Sequence, residues 1–336
     1  MKKINFIFSL LLLLLLPSCD SSQLDEVELE FEAGPNATVP LEIVNYLGNT
    51  QNIHPKVLYF KKGWNGYKFW MAYTPYPMGV TSAENPCIAV SNDGFHWITP
   101  EGLTIPLADK FAEGYNSDTH LVYNHEMDML ECWWRPHYEA EVQDVICRRT
   151  SKDGINWSEP VEEVYRAPQG TLCLSPAVFI HGGEYYMYYS DKADIFVMRC
   201  DVKNQKFDWS KPELVPIDRG ELGLWHHDVI LNDDGSLEFV ICAYEPGFFN
   251  NDADLYYVKG DLKSNKFSEP VKILSRPSDS NAIDSRSIYR TSIVKVDKKY
   301  YLYYSCIDMK WNRYMALSIG DSVFTLRGTK VASNNN

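Results

Sequence analysis

The chain has 336 residues, of which 45% are hydrophobic and 14% aromatic, and its formal net charge is −13. A chain of this length can bury a substantial core, as one large domain or as two smaller ones. Its acidic balance provides no basic field for a phosphate backbone, so we expect no nucleic-acid partner.

The N-terminus has the pattern of a bacterial lipoprotein signal. Lys2 and Lys3 precede an apolar run over residues 4–16. This run is too short to span a bilayer but suits the apolar core of a signal peptide. Small residues then lead to Cys19, which we interpret as the lipidated first residue of the mature chain. The alternative is ordinary signal cleavage near Ser18, with Cys19 incidental.

These features predict a three-part organisation. Residues 1–19 form the signal peptide, residues 20–35 a flexible acidic tether, and residues 36–336 the folded domain. We expect the lipid anchor to be the only contact with the membrane. It would hold the domain on a bacterial membrane, with the outer membrane favoured, facing the periplasm or the cell surface.

One motif recurs five times along the domain, and it is the strongest indication of the fold. A polar residue opens an apolar strand, and a turn leads into a second, aromatic strand. The five opening residues, about 59 residues apart on average, are His54, Asp118, Ser175, His226 and Arg290. This recurrence predicts an all-β, five-bladed β-propeller with four-stranded blades around an axial channel. A β-sandwich is the alternative, but it does not predict a motif that returns five times.

Propeller topology predicts where a functional site would lie. The innermost strand of each blade starts at one mouth of the axial channel, so the five opening residues should ring that mouth. Loops between the second and third strands reach the same face and bring Glu84 and Arg135. The Asp-Gly turns at Asp93 and Asp153 lie at the opposite face, and we assign them a turn function only.

Several stretches resemble five-bladed glycoside hydrolases of families 43, 32 and 117, over residues 50–330. The sequences that carry the resemblance are His54-Pro55-Lys56-Val57, Ser91-Asn92-Asp93-Gly94-Phe95-His96-Trp97, Ser151-Lys152-Asp153-Gly154-Ile155-Asn156-Trp157 and Ser175-Pro176-Ala177-Val178. The resemblance implies a propeller that cleaves glycosidic bonds. In family 43 the inner strands carry a general base, a carboxylate that tunes the acid, and an acid. Asp118 matches the second of these, whereas His54 and Leu174 stand at the other two positions.

Glycosidic cleavage usually needs a proton donor and a second carboxylate. We therefore predict Asp118 and Asp228 as the central catalytic pair, with Glu84 as the proton donor. Asp228 could instead bind backbone amides at the start of its strand, and Glu84 could be a solvated loop residue.

The remaining polar and aromatic residues near this mouth are predicted to bind the carbohydrate substrate. They are His54, Ser175, His226, Arg290, Arg135, Trp134 and Trp311. Arg290 could equally form an ion pair between blades. No cofactor and no metal site are assigned, although the two histidines could ligate a central Ca²⁺ or other cation. The other seven cysteines suggest small buried hydrophobes, because no Cys-x-x-Cys pair occurs.

Two functions follow from these features. The first is a glycoside hydrolase that cleaves an oligosaccharide or polysaccharide at the axial mouth of the propeller. The second is a catalytically silent sugar-binding lipoprotein, which the missing family 43 carboxylates at His54 and Leu174 would explain.

Overall fold

The computed structural model describes residues 29–159, 161–204, 206–247 and 252–330. The predicted signal peptide and Cys19 lie outside these residues. Five antiparallel sheets form a ring, so the predicted five-bladed β-propeller is confirmed. In the part of the chain that the structure describes, no helix is long and apolar enough to cross a bilayer.

The blades follow one another along the chain. Strand β1 is Glu30–Phe31, and blade one consists of β2 (Asn52–Trp64), β3 (Tyr67–Pro75) and β4 (Cys87–Ser91). Blade two consists of β5 (Gly114–Asn124), β6 (Met129–Tyr138), β7 (Gln143–Ser151) and β8 (Glu162–Arg166). Blade three consists of β9 (Leu174–His181), β10 (Glu184–Asp191), β11 (Asp194–Asp201) and β12 (Glu213–Leu214).

The last two blades complete the ring. Blade four consists of β13 (Gly223–Leu231), β14 (Ser236–Tyr244), β15 (Asp254–Asp261), β16 (Lys266–Phe267) and β17 (Val271–Leu274). Blade five consists of β18 (Ser287–Val296), β19 (Lys299–Ile307), β20 (Arg313–Gly320) and β21 (Arg327–Lys330). Two short 3₁₀ turns, Pro77–Gly79 and Thr81–Ala83, lie between β3 and β4.

The blades do not all have the predicted four strands. Blade one has three, and in blade four β16 and β17 both pair with β15. Strand β1 lies in the segment predicted as tether, and it pairs with β21 at the outer edge of blade five. This pairing joins the start of the described chain to its end, which gives the ring an additional closure.

The five innermost strands surround the axis, and each one bulges near the mouth where it starts. Register shifts interrupt the pairing of β2, β5, β9, β13 and β18 with their neighbours. The interruptions fall at His54, Asp118, Ser175, His226 and Arg290, the five residues predicted to ring the axis. His54, Asp118 and Ser175 also have left-handed backbone, with φ of 58°, 52° and 54°. Bulges re-aim side chains, so each blade turns one polar residue toward the axis.

The Asp-Gly turns have the structural function that the sequence predicted. Asp93 Oδ1 accepts hydrogen bonds from the backbone amides of Phe95 and His96, both at 2.8 Å. Asp153 accepts the equivalent pair at 2.8 and 2.7 Å. These carboxylates close their own turns and are not part of the axial site.

Most of the core lies between neighbouring blades. The pair Trp133 and Tyr185, for example, packs blade two against blade three. The same boundary holds a buried polar cluster, in which Arg148 and Tyr185 both bind the carboxylate of Glu131. The seven cysteines of the described chain are buried and free, which confirms their assignment as small core residues.

We predict that Gly154 is essential for packing blade two against blade one. A Cβ on Gly154 would lie 2.1 Å from the Trp70 ring, and its φ is +74°. Gly182 has a similar φ of +59° but no atom within 4 Å of its Cβ position. Gly154→Ala should therefore lower the free energy of unfolding by about 1–3 kcal/mol more than Gly182→Ala, because only the former overpacks the core. Urea unfolding checks this, and equal losses would contradict it.

Candidate active site at the axial mouth

A cavity of about 260 Å³ opens at the mouth where the inner strands start. It brings together four of the predicted site residues, which are His54, Glu84, Arg135 and His226. Asp118 lies directly beneath them, fully buried, and contacts both histidines. A cavity therefore lies at the mouth of the channel where the sequence predicted the site.

Asp118 is a buried carboxylate held by two guanidinium groups. Arg135 Nε lies 2.7 Å from Asp118 Oδ2, and Arg290 Nη1 lies 3.2 Å from Oδ1. Burial alone raises the pKa of Asp118, but Arg135, the two histidines and Arg290 together hold it well below its usual value. Asp118 is therefore ionised at neutral pH.

The two histidines face the same carboxylate oxygen. His54 Nε2 lies 3.6 Å and His226 Nδ1 lies 3.5 Å from Asp118 Oδ1. Burial lowers the pKa of His54 to about 3 and that of His226 well below its usual value. Both rings are therefore neutral at neutral pH, the state in which imidazole binds a metal ion.

The geometry of this triad fits a divalent transition metal ion. One ligand atom from each of His54, Asp118 and His226 lies within 4.8 Å of the other two. Ligands at about 2.1 Å from a tetrahedral ion are about 3.4 Å apart, close to the two separations given above. Two imidazoles with one carboxylate are a ligand set that transition metals favour over Ca²⁺. The arrangement makes Asp118 a candidate ligand instead of one half of a carboxylate pair.

Outer contacts orient the candidate ligands. The Thr74 hydroxyl lies 3.0 Å from His54 Nδ1, the ring nitrogen that does not face Asp118. The Ser175 hydroxyl lies 2.6 Å from His226 Nδ1, the same nitrogen that faces Asp118. Arg290 also donates to the backbone carbonyl of Thr119 at 3.0 Å. Ser175 and Arg290, predicted to bind substrate, do not line the cavity. Ser175 contacts His226 of the wall, and Arg290 holds Asp118 beneath it. A partner on the free ring nitrogen, such as Thr74 on His54, commonly fixes ring orientation at metal sites.

Glu84 is the carboxylate that the cavity exposes to a ligand. It follows the second 3₁₀ turn, is only 4% exposed, and accepts a hydrogen bond from Ser117. Its Oε2 lies 3.5 Å from His54 Nδ1. Burial raises the pKa of Glu84 to about 8, so it can hold a proton near neutral pH. The structure thus brings Glu84 into the site, as the sequence predicted.

Asp228 does not line this cavity, and the structure does not bring the predicted pair of Asp118 and Asp228 together in its wall. Its two oxygens lie 2.7 and 3.0 Å from Lys56 Nζ, and one also accepts from the Ile293 amide. Lys56 lines a separate cavity at the opposite mouth of the channel. Strand alternation predicted that Asp228 points toward the axis, and it does. It lies farther along the channel than His226, which lines the cavity.

The predicted stacking residues also lie elsewhere. Trp134 is buried in the core between blades one and two, where its indole donates to Asn116. It therefore cannot contact a substrate. Trp311 is 39% exposed and is not part of the cavity wall. It packs beside Arg313, which does line the cavity.

The structure adds residues that the sequence analysis did not assign to the site. Trp225 and Tyr289 line the cavity and stack with their ring centroids 5.7 Å apart. Among the described residues the buried Tyr289 hydroxyl has no hydrogen-bond partner. Both aromatics directly precede a predicted axial residue, His226 or Arg290. Because the strand bulges there, neighbouring residues both reach the mouth, and this adjacency is the pattern that could have identified them.

Comparison with known proteins supports the fold and relates it to carbohydrate-active enzymes. No family model matches the chain. A segment of 115 residues is 39% identical to the A type blood N-acetyl-alpha-D-galactosamine deacetylase of Flavonifractor plautii, and it spans 33% of this chain but only 15% of that protein.

Solved structures match over most of the chain. The crystal structure of an N-acetylgalactosamine deacetylase from F. plautii, in complex with blood group B trisaccharide, has a TM-score of 0.71 at 20% identity. That match covers 90% of this chain and 95% of the other. A thermostable family-43 glycoside hydrolase has a TM-score of 0.58 at 13% identity and covers 87% and 96% respectively. At these identities the similarity shows the fold alone. It confirms that the chain has the same fold as the glycoside hydrolase propellers it was predicted to resemble.

The triad geometry predicts metal binding that depends on His226 and Asp118. Metal-depleted protein should bind about one equivalent of Zn²⁺ or Mn²⁺, and His226→Gln or Asp118→Asn should weaken binding about 100-fold or more. Titration calorimetry with elemental analysis measures this. His96→Gln, at an exposed histidine on the opposite face, serves as control. Unchanged binding in both site variants would contradict the prediction.

Proposed function

We propose that this protein is a metal-dependent deacetylase that removes the acetyl group from an N-acetylated sugar. The observation that carries the proposal is the pairing of two neutral histidines and Asp118 with a cavity in which Glu84 is the one carboxylate of the described wall. A metal triad beside a single carboxylate is suited to amide hydrolysis, in which one residue can both accept and return a proton.

The same geometry disfavours the glycosidase hypothesis. Cleavage of a glycosidic bond usually requires two carboxyl groups that flank the bond. Asp118 is enclosed by Arg135 and Arg290, and Asp228 is bound to Lys56 outside this cavity. Among the described residues that line this cavity, Glu84 therefore has no second carboxylate with which to form such a pair.

The cavity wall offers complementary surfaces for an acetamido sugar. The Trp225 ring gives a face on which the C–H groups of a sugar can stack. Leu174 and Ile307 provide apolar wall for the acetyl methyl group. The Tyr289 ring stacks against Trp225 and supports this face.

The proposed reaction is hydrolysis of the acetamide bond by water. A divalent cation held by His54, Asp118 and His226 would supply a Lewis acid, which polarises the amide carbonyl and lowers the pKa of water. Glu84 accepts one proton in its ionised form, the fraction of which grows as the pH rises toward about 8, while the water oxygen bonds to the carbonyl carbon. It returns that proton to the nitrogen as the C–N bond breaks. The second proton of the water is lost from the new carboxyl group and is taken up by the amine, so the products are acetate and the protonated amino sugar.

The comparisons support the choice of substrate class. The Flavonifractor plautii relative is described as acting on N-acetyl-alpha-D-galactosamine, and its structural counterpart was solved with a bound trisaccharide. The identity of the sugar for this chain, and its linkage, belong to the proposal.

We also propose that the enzyme acts as a lipoprotein, anchored through Cys19 to a bacterial membrane with the propeller exposed to the periplasm or the cell surface. The support is the sequence pattern of the N-terminus. Cys19→Ser should abolish incorporation of labelled palmitate and move the protein from the membrane fraction to the soluble fraction. Retention of label in Cys19→Ser would contradict this anchor.

The deacetylase proposal predicts a specific product and a specific dependence on Glu84. Purified metal-loaded protein, given a panel of p-nitrophenyl N-acetylhexosaminides, should release acetate and no nitrophenol. Glu84→Gln should lower kcat by about 10²–10⁴-fold, because the proton carrier is lost, while metal binding persists.

Glu126→Gln, an exposed glutamate at the opposite mouth, should behave as the unaltered protein. Release of nitrophenol that depends on Glu84 would establish a glycosidase instead. Sugar binding with neither product would favour the silent binding lipoprotein.

A further inference from the structure

Two arginines pack against one tryptophan beside the cavity. The centres of the Arg286 and Arg313 guanidinium groups lie 3.9 and 5.4 Å from the centroid of the Trp311 ring. Arg313 also lies 5.2 Å from the centroid of the Tyr76 ring, which lines the cavity. We call Tyr76, Arg286, Trp311 and Arg313 the arginine rim.

Neither arginine of the rim has a carboxylate partner among the described residues. Their charged nitrogens form no ion pair within 4.0 Å, in contrast to Arg135 and Arg290 below the cavity. The Nε atoms of Arg286 and Arg313 are also buried without a hydrogen-bond partner. Burial raises the pKa of Glu84 and Arg313 lowers it across the cavity, but Arg313 forms no ion pair with this carboxylate, so its guanidinium can still bind an anion. Arg286 is partly exposed and has no ion pair among the described residues.

Arg313 is the arginine that faces the cavity. It is only 5% exposed and forms part of the wall. Its Nη1 donates to the Trp311 carbonyl, and its backbone amide donates to the Gln51 side chain at 3.2 Å. A Cβ on Gly79 would lie 2.8 Å from Arg313 Nη2, so the glycine leaves room for the guanidinium. The group is thus held in place in the absence of a ligand.

Arg286 is tied to the same wall. Its backbone amide donates to the carbonyl of Ile307, a residue of the cavity lining, at 3.0 Å. Its side chain is partly exposed, which makes it accessible to a group that extends from the cavity toward solvent. The partly exposed Trp311 gives an adjacent stacking face for a sugar ring.

We propose that the arginine rim binds a carboxylate or sulfate group on the sugar next to the acetamido sugar, so that the substrate is an acidic amino-sugar glycan. This inference rests on the proposed function for the identity of the acetamido sugar. A guanidinium presents two parallel donors that match the oxygens of a carboxylate or sulfate. The chain carries a net charge of −13, so the positive charge of the rim would have to supply the local attraction for an anionic glycan.

The test compares matched disaccharides. In each, an N-acetylhexosamine is linked to glucose, to glucuronic acid, or to glucose 6-sulfate, and kcat/KM for acetate release is measured. We expect at least one acidic disaccharide to exceed the neutral one by about 10–100-fold, and the preference to fall with salt. The two acidic members show whether the carboxylate or the sulfate is preferred.

Variants assign the preference to the rim. Arg313→Gln should lower the ratio of acidic to neutral kcat/KM by about 10-fold or more, and Arg286→Gln should lower it less. Arg313→Lys, which retains the charge without the paired donors, should be intermediate. Arg199→Gln, the same change at a half-exposed arginine on β11, should leave the ratio unaltered. Melting temperatures verify that each variant is folded.

Binding of the same disaccharides, measured by calorimetry, separates this inference from the proposed function. If acidic disaccharides bind through Arg313 but no acetate is released, the deacetylase proposal is contradicted and the proposed anion binding by the rim is supported. If acetate is released with equal kcat/KM for all three disaccharides, and Arg313→Gln shows the same ratio, anion binding by the rim is contradicted and the deacetylase proposal is supported.

Discussion

The site depends on one buried charge. Asp118 is an ionised carboxylate at the centre of the propeller, held by Arg135 of its own blade and Arg290 of blade five. Removal of one partner from such a buried group costs about 3–5 kcal/mol, because the remaining charge is left uncompensated. This constraint accounts for the rest of the arrangement: the arginines are occupied by Asp118, the histidines remain neutral, and the reactive groups must be supplied by residues around it.

The fold was predictable because its pattern repeats. His54, Asp118, Ser175, His226 and Arg290 each interrupt an apolar strand with a polar residue, and the structure places a bulge at each of them. The unequal strand number of the blades was not predictable, because short outer strands such as β12 and β16 contain only two residues each. Pairs of this length leave little periodicity in a sequence.

The site was predictable in location but less so in the function of each residue. Period-two alternation indicates the side of a strand and not the depth, so Asp228 was assigned to a cavity that it does not reach. Arg290 and Ser175 were identified as axial, but only coordinates show that Asp118 and His226 already occupy them. Trp225 and Tyr289 required the bulges to be known, because they adjoin axial residues without matching the repeat. Arg313 required the connection between β19 and β20 to be known, because it begins β20.

The propeller also separates the tasks of the site between elements. Inner strands, fixed by their neighbours on both sides, hold the triad of His54, Asp118 and His226. The connection between β3 and β4 brings Glu84, and the connection between β19 and β20 ends at Arg313. Rigid strands can therefore keep the geometry of this triad while loops change the recognition of a ligand. This division is consistent with deacetylase and glycosidase structures that share one fold at low sequence identity.

The proposed function requires the axial site to hydrolyse an amide and not a glycosidic bond. The most direct test is one incubation of the metal-loaded protein with an N-acetylated oligosaccharide in water enriched in heavy oxygen, followed by mass spectrometry of the products. A deacetylase should place the heavy oxygen in acetate and leave the length of the glycan unchanged. Heavy oxygen at a newly formed reducing end, with unlabelled acetyl groups still attached, would contradict it.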